Sequence, residues 1–280
     1  EIVDCDWSSD VCSSDLIPDK PVHQLWFDDD TYMATRQYYD GSKIEMETSR
    51  IQRFTPNGEC IETLGGIGNH IDGSPDRSYF VGDRAYPGYP TDIFLYRRGE
   101  TTPIATFGGQ NFQNCTWKLQ IHPNPTFSRD GKRIYFNHPV SAKKPDLEDK
   151  EKQITEIWIC DRNTLANARC VFTVSCGNHN GPSATFTDND HIVFRDIING
   201  FSAFRVLNIH TGEVVYGPIF GKESHCAENG QYPFSISEEF LDKNPDYPEL
   251  NTCGIYLLDL TTGKIRRVAD KKTVYDMVVK

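Results

Sequence analysis

The chain lacks most of the signatures that settle a function quickly. Nine cysteines occur in 280 residues, but none form a CxxC pair or a zinc-finger spacing. Scattered thiols such as Cys115, Cys160, Cys170, Cys176, Cys226 and Cys253 read as half-buried side chains. No apolar run approaches the ~18 residues of a membrane-spanning helix. There is no G-x-S-x-G elbow, H-E-x-x-H, P-loop or G-x-G-x-x-G, which removes the commonest hydrolase, metalloprotease and nucleotide-binding readings. Gly65-Gly66-Ile67-Gly68 precedes no helical pattern and reads as a turn. Basic charge is also short: 29 Lys and Arg stand against 40 Asp and Glu, a net −11. A chain so acidic is a poor partner for nucleic acid, and any acidic ligand needs a locally basic site.

Strand formers and turn formers are what the chain has. Tyr, Phe, Val, Ile and Thr are plentiful, and 21 Gly and 16 Pro punctuate them. At 38% hydrophobic and 12% aromatic residues, a packed core is expected. The strongest local signal is IHPNPTFSRDGKRIYFNHP, Ile121–Pro139. Its Asp130-Gly131 pair between alternating apolar residues is a hairpin signal. The pattern recurs in GNHIDGSPDRSYFVGD and CGNHNGPSATFTDNDHIVFRD, and more faintly around PVHQLWFDDDTYMATR and ESHCAENGQYPFSIS. The histidines that open the copies are His23, His70, His122, His179 and His225, spaced by 47, 52, 57 and 46 residues. A repeat of that length built from short strands predicts an all-β propeller of four-stranded antiparallel blades.

Five blades are expected, at Val22–Leu64, Gly65–Phe107, Cys115–Val174, Ser175–Ile219 and Phe220–Asp270. In the first, Lys43–Glu47 is expected to be a strand. Thr273–Val279 would begin a sixth, so the blades present suggest truncation from six or seven. Ser141–Gln153 and Glu238–Asn251 read as polar loops. Residues 1–16 fit none of this. They resemble translated sequencing-adapter read-through, and without their five acids the net charge is −6. Residues 17–280 are expected to form the single propeller domain. The compartment is left open between cytoplasm and periplasm.

In a propeller the first strand of each blade is innermost, so the five histidines should converge on one funnel. Clustered imidazoles suit either a transition metal or general acid–base chemistry near neutral pH. Arg84, Tyr86 and Tyr89 follow the second strand of blade two, and Arg195 follows that of blade four. Asn180, Gln231 and Tyr232 flank the later histidines, and His138 follows the second strand of blade three. Arg with Tyr and His suits an anionic sugar, because Arg pairs with a carboxylate bidentately.

FSRDGKRIYFN and GSPDRSYFVGD resemble the TolB-type, WD40-like propeller repeat, over most of residues 22–270. Within that group, HPNPTFSRDGKRIYFNHP and GDRAYPGYPTDIFLYRR resemble oligogalacturonate lyases and related propeller polysaccharide lyases. That resemblance implies β-elimination on uronate-containing oligosaccharides in a central-channel site, with a divalent metal such as manganese held by His and Gln. His122 or His70 would then remove the proton alpha to the carboxylate. Arg84, or a metal on His179, His225 and Gln231, would stabilise the resulting charge. Tyr86 would protonate the leaving oxygen, while Tyr89, His138, Arg195 and Asn180 would bind substrate. The family's metal motif, a Gln followed by two closely spaced His, is missing, and His225 with Gln231 is a distorted substitute. A non-catalytic propeller that binds a glycan or a protein is the alternative, and an accessory domain of a larger hydrolase is a third reading.

Overall fold

The computed structural model describes residues 21–40, 43–84, 92–108, 122–139, 154–163, 165, 167–175, 184–186, 188–198, 201–219, 254–258 and 265–270. These residues form antiparallel sheet almost throughout. The first four-stranded sheet holds β1 (Pro21–Trp26), β2 (Tyr32–Arg36), β5 (Arg50–Phe54) and β6 (Cys60–Gly65). The second holds β7 (Ile71–Gly73), β8 (Tyr79–Asp83), β9 (Asp92–Arg97) and β10 (Ala105–Gly108). The third holds β11 (Thr126–Phe127), β12 (Arg133–Pro139), β13 (Ile154–Asp161) and β14 (Arg169–Ser175). The fourth holds β15 (Thr185–Phe186), β16 (His191–Ile198), β17 (Phe201–Asn208) and β18 (Val214–Ile219). Each is a meander, with strands in chain order, as the blade pattern predicts. Of the fifth blade the described residues contain one antiparallel pair, β19 (Gly254–Leu258) with β20 (Ile265–Asp270).

Lys43–Glu47 does not join the first sheet as a blade strand. Lys43–Ile44 (β4) closes a small hairpin with Tyr39–Asp40 (β3), and Met46–Thr48 form a 3-10 turn. The chain divides into two compact units, Glu1–Pro139 with Trp158–Arg169, and Val140–Ile157 with Cys170–Lys280. Among the described residues no helix is long and apolar enough to cross a membrane.

The second sheet explains why its strands read as continuous apolar runs rather than alternating ones. Phe80, Phe94 and Tyr96 pack with Leu25, Met33, Ile51 and Leu64 of the first sheet. Their strand neighbours Val81, Ile93 and Leu95 face the other way, onto Phe127, Ile134 and Phe136 of the third. A sheet covered on both faces has no solvent side to carry polar residues. Packing is close at the junction: a Cβ on Gly82 would lie 2.8 Å from the Gly68 Cα.

One turn recurs almost bond for bond. Ser74 Oγ donates to Asp76 Oδ1 at 2.6 Å and accepts from the Tyr79 amide at 3.0 Å. Ser128 Oγ does the same with Asp130 at 2.7 Å and the Arg133 amide at 3.0 Å. In both, the aspartate accepts a second amide, from Ser78 at 3.1 Å and from Lys132 at 3.0 Å. The turn needs left-handed backbone one residue after the aspartate, which Gly131 adopts at φ 65° and Arg77 at φ 56°. Arg77 meets this demand while its guanidinium donates to the carbonyls of Phe27 and Trp26, both at 3.1 Å, in the first sheet. Replacing a serine that joins three groups takes the acceptor from one part-buried amide, that of Arg133, at about 1–2 kcal/mol. We therefore expect Ser128→Ala to lower the unfolding free energy from denaturant titration by that amount, with Lys132→Ala close to neutral. Equal effects from the two variants would count against the turn as a stability determinant.

Candidate functional site

Three of the five repeat histidines come together. The His23 and His70 rings lie 4.6 Å apart between centroids, and the His70 and His122 rings again 4.6 Å. The reason is local. His70 and His122 sit in the entry segments just before β7 and β11, and His23 lies within β1. β1 carries a register shift between Val22 and Leu25, and His23 inside it takes left-handed backbone at φ 53°. Bulges of this kind re-aim a side chain. Asn124, two residues after His122, is also left-handed, at φ 44°. Two non-glycine residues in a costly backbone region flank one short row of rings, as is common at functional sites.

Beneath the row lies Asp83, the last residue of β8, with no exposed surface. Its carboxylate faces His70 Nδ1 at 3.1 and 3.0 Å. It also accepts the backbone amides of His70 at 3.2 Å and Asn124 at 3.1 Å. On its other nitrogen, His70 Nε2 meets His122 Nδ1 at 3.1 Å. Asp83, His70 and His122 thus form one hydrogen-bonded file. His122 is further held by Asn137, whose Nδ2 donates to the His122 carbonyl at 2.9 Å, and Tyr135 Oη donates to Asn137 Oδ1. On the other side Asn69 lies beside the His23 side chain. Asn69 is in turn fixed by Gln37, whose Nε2 donates to its Oδ1 at 3.1 Å.

The electrostatics follow from burial and from charge on His70. Burial first, then the His70 charge, pushes His23 down to about 3. The same causes push His122 down to about 3. Both are therefore neutral at physiological pH. Burial alone would raise the Asp83 carboxyl, but the His70 charge and hydrogen bond outweigh it and hold Asp83 below the ordinary carboxylate range.

The remaining expected site residues are distributed differently. Arg84 does reach toward the end of β8, but its guanidinium is already matched by two carboxylates, Glu47 at 2.8 Å and Asp92. His138 packs its ring against Trp158 at 4.8 Å in the third sheet. Arg195 lies on β16, opposite Phe204. The two histidines outside the expected site, His191 and His210, pair with Asp188 at 2.9 Å and with Asp190 at 2.8 Å. Tyr86, Tyr89, His179, Asn180, His225 and Gln231 lie outside the described residues. Sequence reasoning passed over Asp83, Asn69 and Asn124. Asp83 was adjacent to a residue singled out for its charge, yet nothing in the repeat pattern marks the last residue of a second strand as a partner for His70.

A divalent metal finds no seat in this row. Among the described residues, no group of three or more His, Cys, Asp or Glu side chains is arranged to hold one. His70 has Asp83 on one nitrogen and His122 on the other, which leaves the row short of the three or four ligands of a typical site.

Acid should unfold the protein through these histidines. Each is held neutral down to about 3 in the fold, while an unfolded histidine binds its proton near 6.5. Their contribution is present above about 6.5 and is lost as the pH falls from there toward about 3, since the unfolded chain then binds more protons. The unfolding midpoint should fall steadily between about pH 7 and about pH 4. His23→Asn, which tolerates left-handed backbone, should flatten that slope; an unchanged slope would show that His23 titrates normally.

No protein-family model matches the chain. No curated protein matches it either. Among solved structures it is similar to an oligogalacturonate lyase in complex with manganese, at 13% identity and a TM-score of 0.50, over 90% of this chain and 65% of that one. It is similar to the acylaminoacyl peptidase of Pyrococcus horikoshii, at 13% identity and a TM-score of 0.51, over 85% of this chain and 37% of that one. TolB from Acinetobacter baumannii matches at 16% identity and a TM-score of 0.42, over 66% of this chain and 42% of that one. The chain thus spans less than half the length of the peptidase and TolB chains. At such identities a likeness carries fold alone. The fold is of propeller type, built from four-stranded antiparallel blades.

Proposed function

We propose that this chain acts on uronate-containing oligosaccharides by β-elimination, with His122 as the proton-transferring group. The observation that carries the reading is the file from Asp83 through His70 to His122. β-Elimination next to a carboxylate needs a neutral base that can take a weakly acidic carbon-bound proton. His122 is neutral and holds a proton poorly by itself, but the second imidazole behind it, His70 beside the Asp83 carboxylate, can take the proton on. The sequence resemblance to propeller polysaccharide lyases points the same way, as does likeness in fold to an oligogalacturonate lyase.

Roles shift from the sequence-based assignment in two places. Arg84, charge-matched by Glu47 and Asp92, braces the ends of β8 and β9 in this reading. Neutralising the uronate carboxylate then falls to another cation, with Arg195 as the sequence-based candidate and Asn180 as a neutral substrate contact. Tyr86 is kept as donor to the leaving oxygen, and Tyr89 and His138 as substrate contacts. Manganese, named for the lyase neighbour, has no donor set among the described residues, and no step here depends on it. His179, His225 and Gln231 stay as the sequence-based metal candidates.

Incubation with oligogalacturonate or ulvan should produce the ultraviolet absorbance of an unsaturated uronate. His122→Ala should reduce its rate at least ~100-fold, the usual scale of a lost general base. Binding of either glycan without unsaturated product would replace the lyase reading by a non-catalytic, glycan-binding propeller.

A further inference from the structure

Resting on that reading of the row as an acid–base centre, we propose that Asp83, His70 and His122 work as one proton relay, with His122 the exchanging end and Asp83 a positioning residue. The geometry separates this from a lone base. An imidazole passes a proton by gaining it on one nitrogen and losing it from the other. His70 has a partner at each: Asp83 at Nδ1, 3.0 Å, and His122 Nδ1 at Nε2, 3.1 Å. The 3.1 Å gap holds one hydrogen. It sits either on His122 Nδ1, with His70 neutral, or on His70 Nε2, with His70 an imidazolium.

Asp83 selects between these states. A carboxylate with no exposed surface strongly favours a cation beside it. It cannot swing away, because the amides of His70 and Asn124 hold both its oxygens. His70 is faced by His23 from the β1 side, by Asp83 from β8 and by His122 from the segment before β11. Of these neighbours only Asp83 is an anion. Before the reaction the gap hydrogen is on His122 Nδ1 and both rings are neutral; once a proton has entered at His122 Nε2, the gap hydrogen moves to His70 Nε2 and the positive charge settles there, beside Asp83.

The proton balance closes. In the forward half, the carbon–hydrogen bond of the substrate breaks and its electron pair stays on carbon. The proton goes to His122 Nε2, and the Nδ1 proton of His122 passes to His70 Nε2. Asp83 stays ionised throughout. On return, His70 gives its proton back to His122 Nδ1, and the Nε2 proton leaves His122 for the departing oxygen or for solvent. Nothing else is consumed.

Two variants and one spectrum test this. Asp83→Asn keeps an acceptor beside His70 but removes the charge, and His70→Gln keeps hydrogen-bonding groups but cannot carry a proton. Each should lower the rate of unsaturated-product formation at least ~100-fold, a lower bound set against the roughly 10⁴-fold lost when the orienting carboxylate of a catalytic histidine is neutralised. The acidic limb of the pH–rate profile should also move in Asp83→Asn, which a merely structural role would leave in place. Nitrogen-15 NMR of the imidazoles gives a readout that needs no activity. In the wild type, His70 and His122 should titrate as a coupled pair, and in Asp83→Asn the coupling should vanish while the amide spectrum stays folded. Should Asp83→Asn not fold, the wild-type titration and folded His70→Gln decide the matter. Independent titration of the two rings would overturn the relay. So would imidazole signals that shift on adding Mn or Zn ions, since the pair would then be metal ligands. Coupled titration with no lyase activity would sink the β-elimination reading and leave the relay standing.

Discussion

One buried carboxylate organises the part of this molecule where chemistry is plausible. Asp83 has no contact with water, so its charge must be met inside the protein. The His70 ring, the His70 amide and the Asn124 amide meet it, with the His122 ring one step further on. These groups come from the entries of two successive blades. The anion thus joins the second and third sheets and decides which nitrogen of His70 faces His122. Asp72 does similar work nearby, with Oδ2 accepting the Phe127 amide at 2.8 Å and Oδ1 the Gly73 amide at 2.8 Å. Side-chain carboxylates there bond backbone amides of adjoining blades, a task that strand ladders cannot perform across a blade boundary.

Around this junction the fold accepts backbone cost. His23 and Asn124 both hold left-handed conformations without being glycine. Arg77 does so as well, but its cause is plain: the repeated turn requires it, and its guanidinium bonds the first sheet. The two residues beside the histidine row have no turn of that kind to explain them. Their geometry serves the placement of rings and of an amide on Asp83, which is why the row is read as functional rather than as packing.

Much of the blade architecture was legible in the residues. Ser-x-Asp-Gly turns, alternating aromatic strands and Thr-Gly hairpins place most strands of the described sheets within a few residues. Lys43–Glu47 was misread because a short apolar-polar run looks the same in a blade strand and in a small side hairpin. The histidine spacing rightly suggested convergence for His23, His70 and His122. Their partners were not legible. Arg84 looked available because its charge is visible in the sequence, whereas Glu47 and Asp92 meet it only when the chain is folded.

The sequence by itself determined the periodicity: which segments are strands, where the turns fall, and that a histidine opens each copy. These are local consequences of side-chain alternation and of turn chemistry, and they hold within a window of a few residues. Tertiary structure alone decided the electrostatics. Whether a histidine is neutral, which nitrogen it offers, and whether an arginine is already satisfied all depend on groups tens of residues away. His70 and His122 are 52 residues apart in the chain and 3.1 Å apart in the fold. A one-dimensional pattern carries no distance of that kind, and the chemistry of the row rests on it.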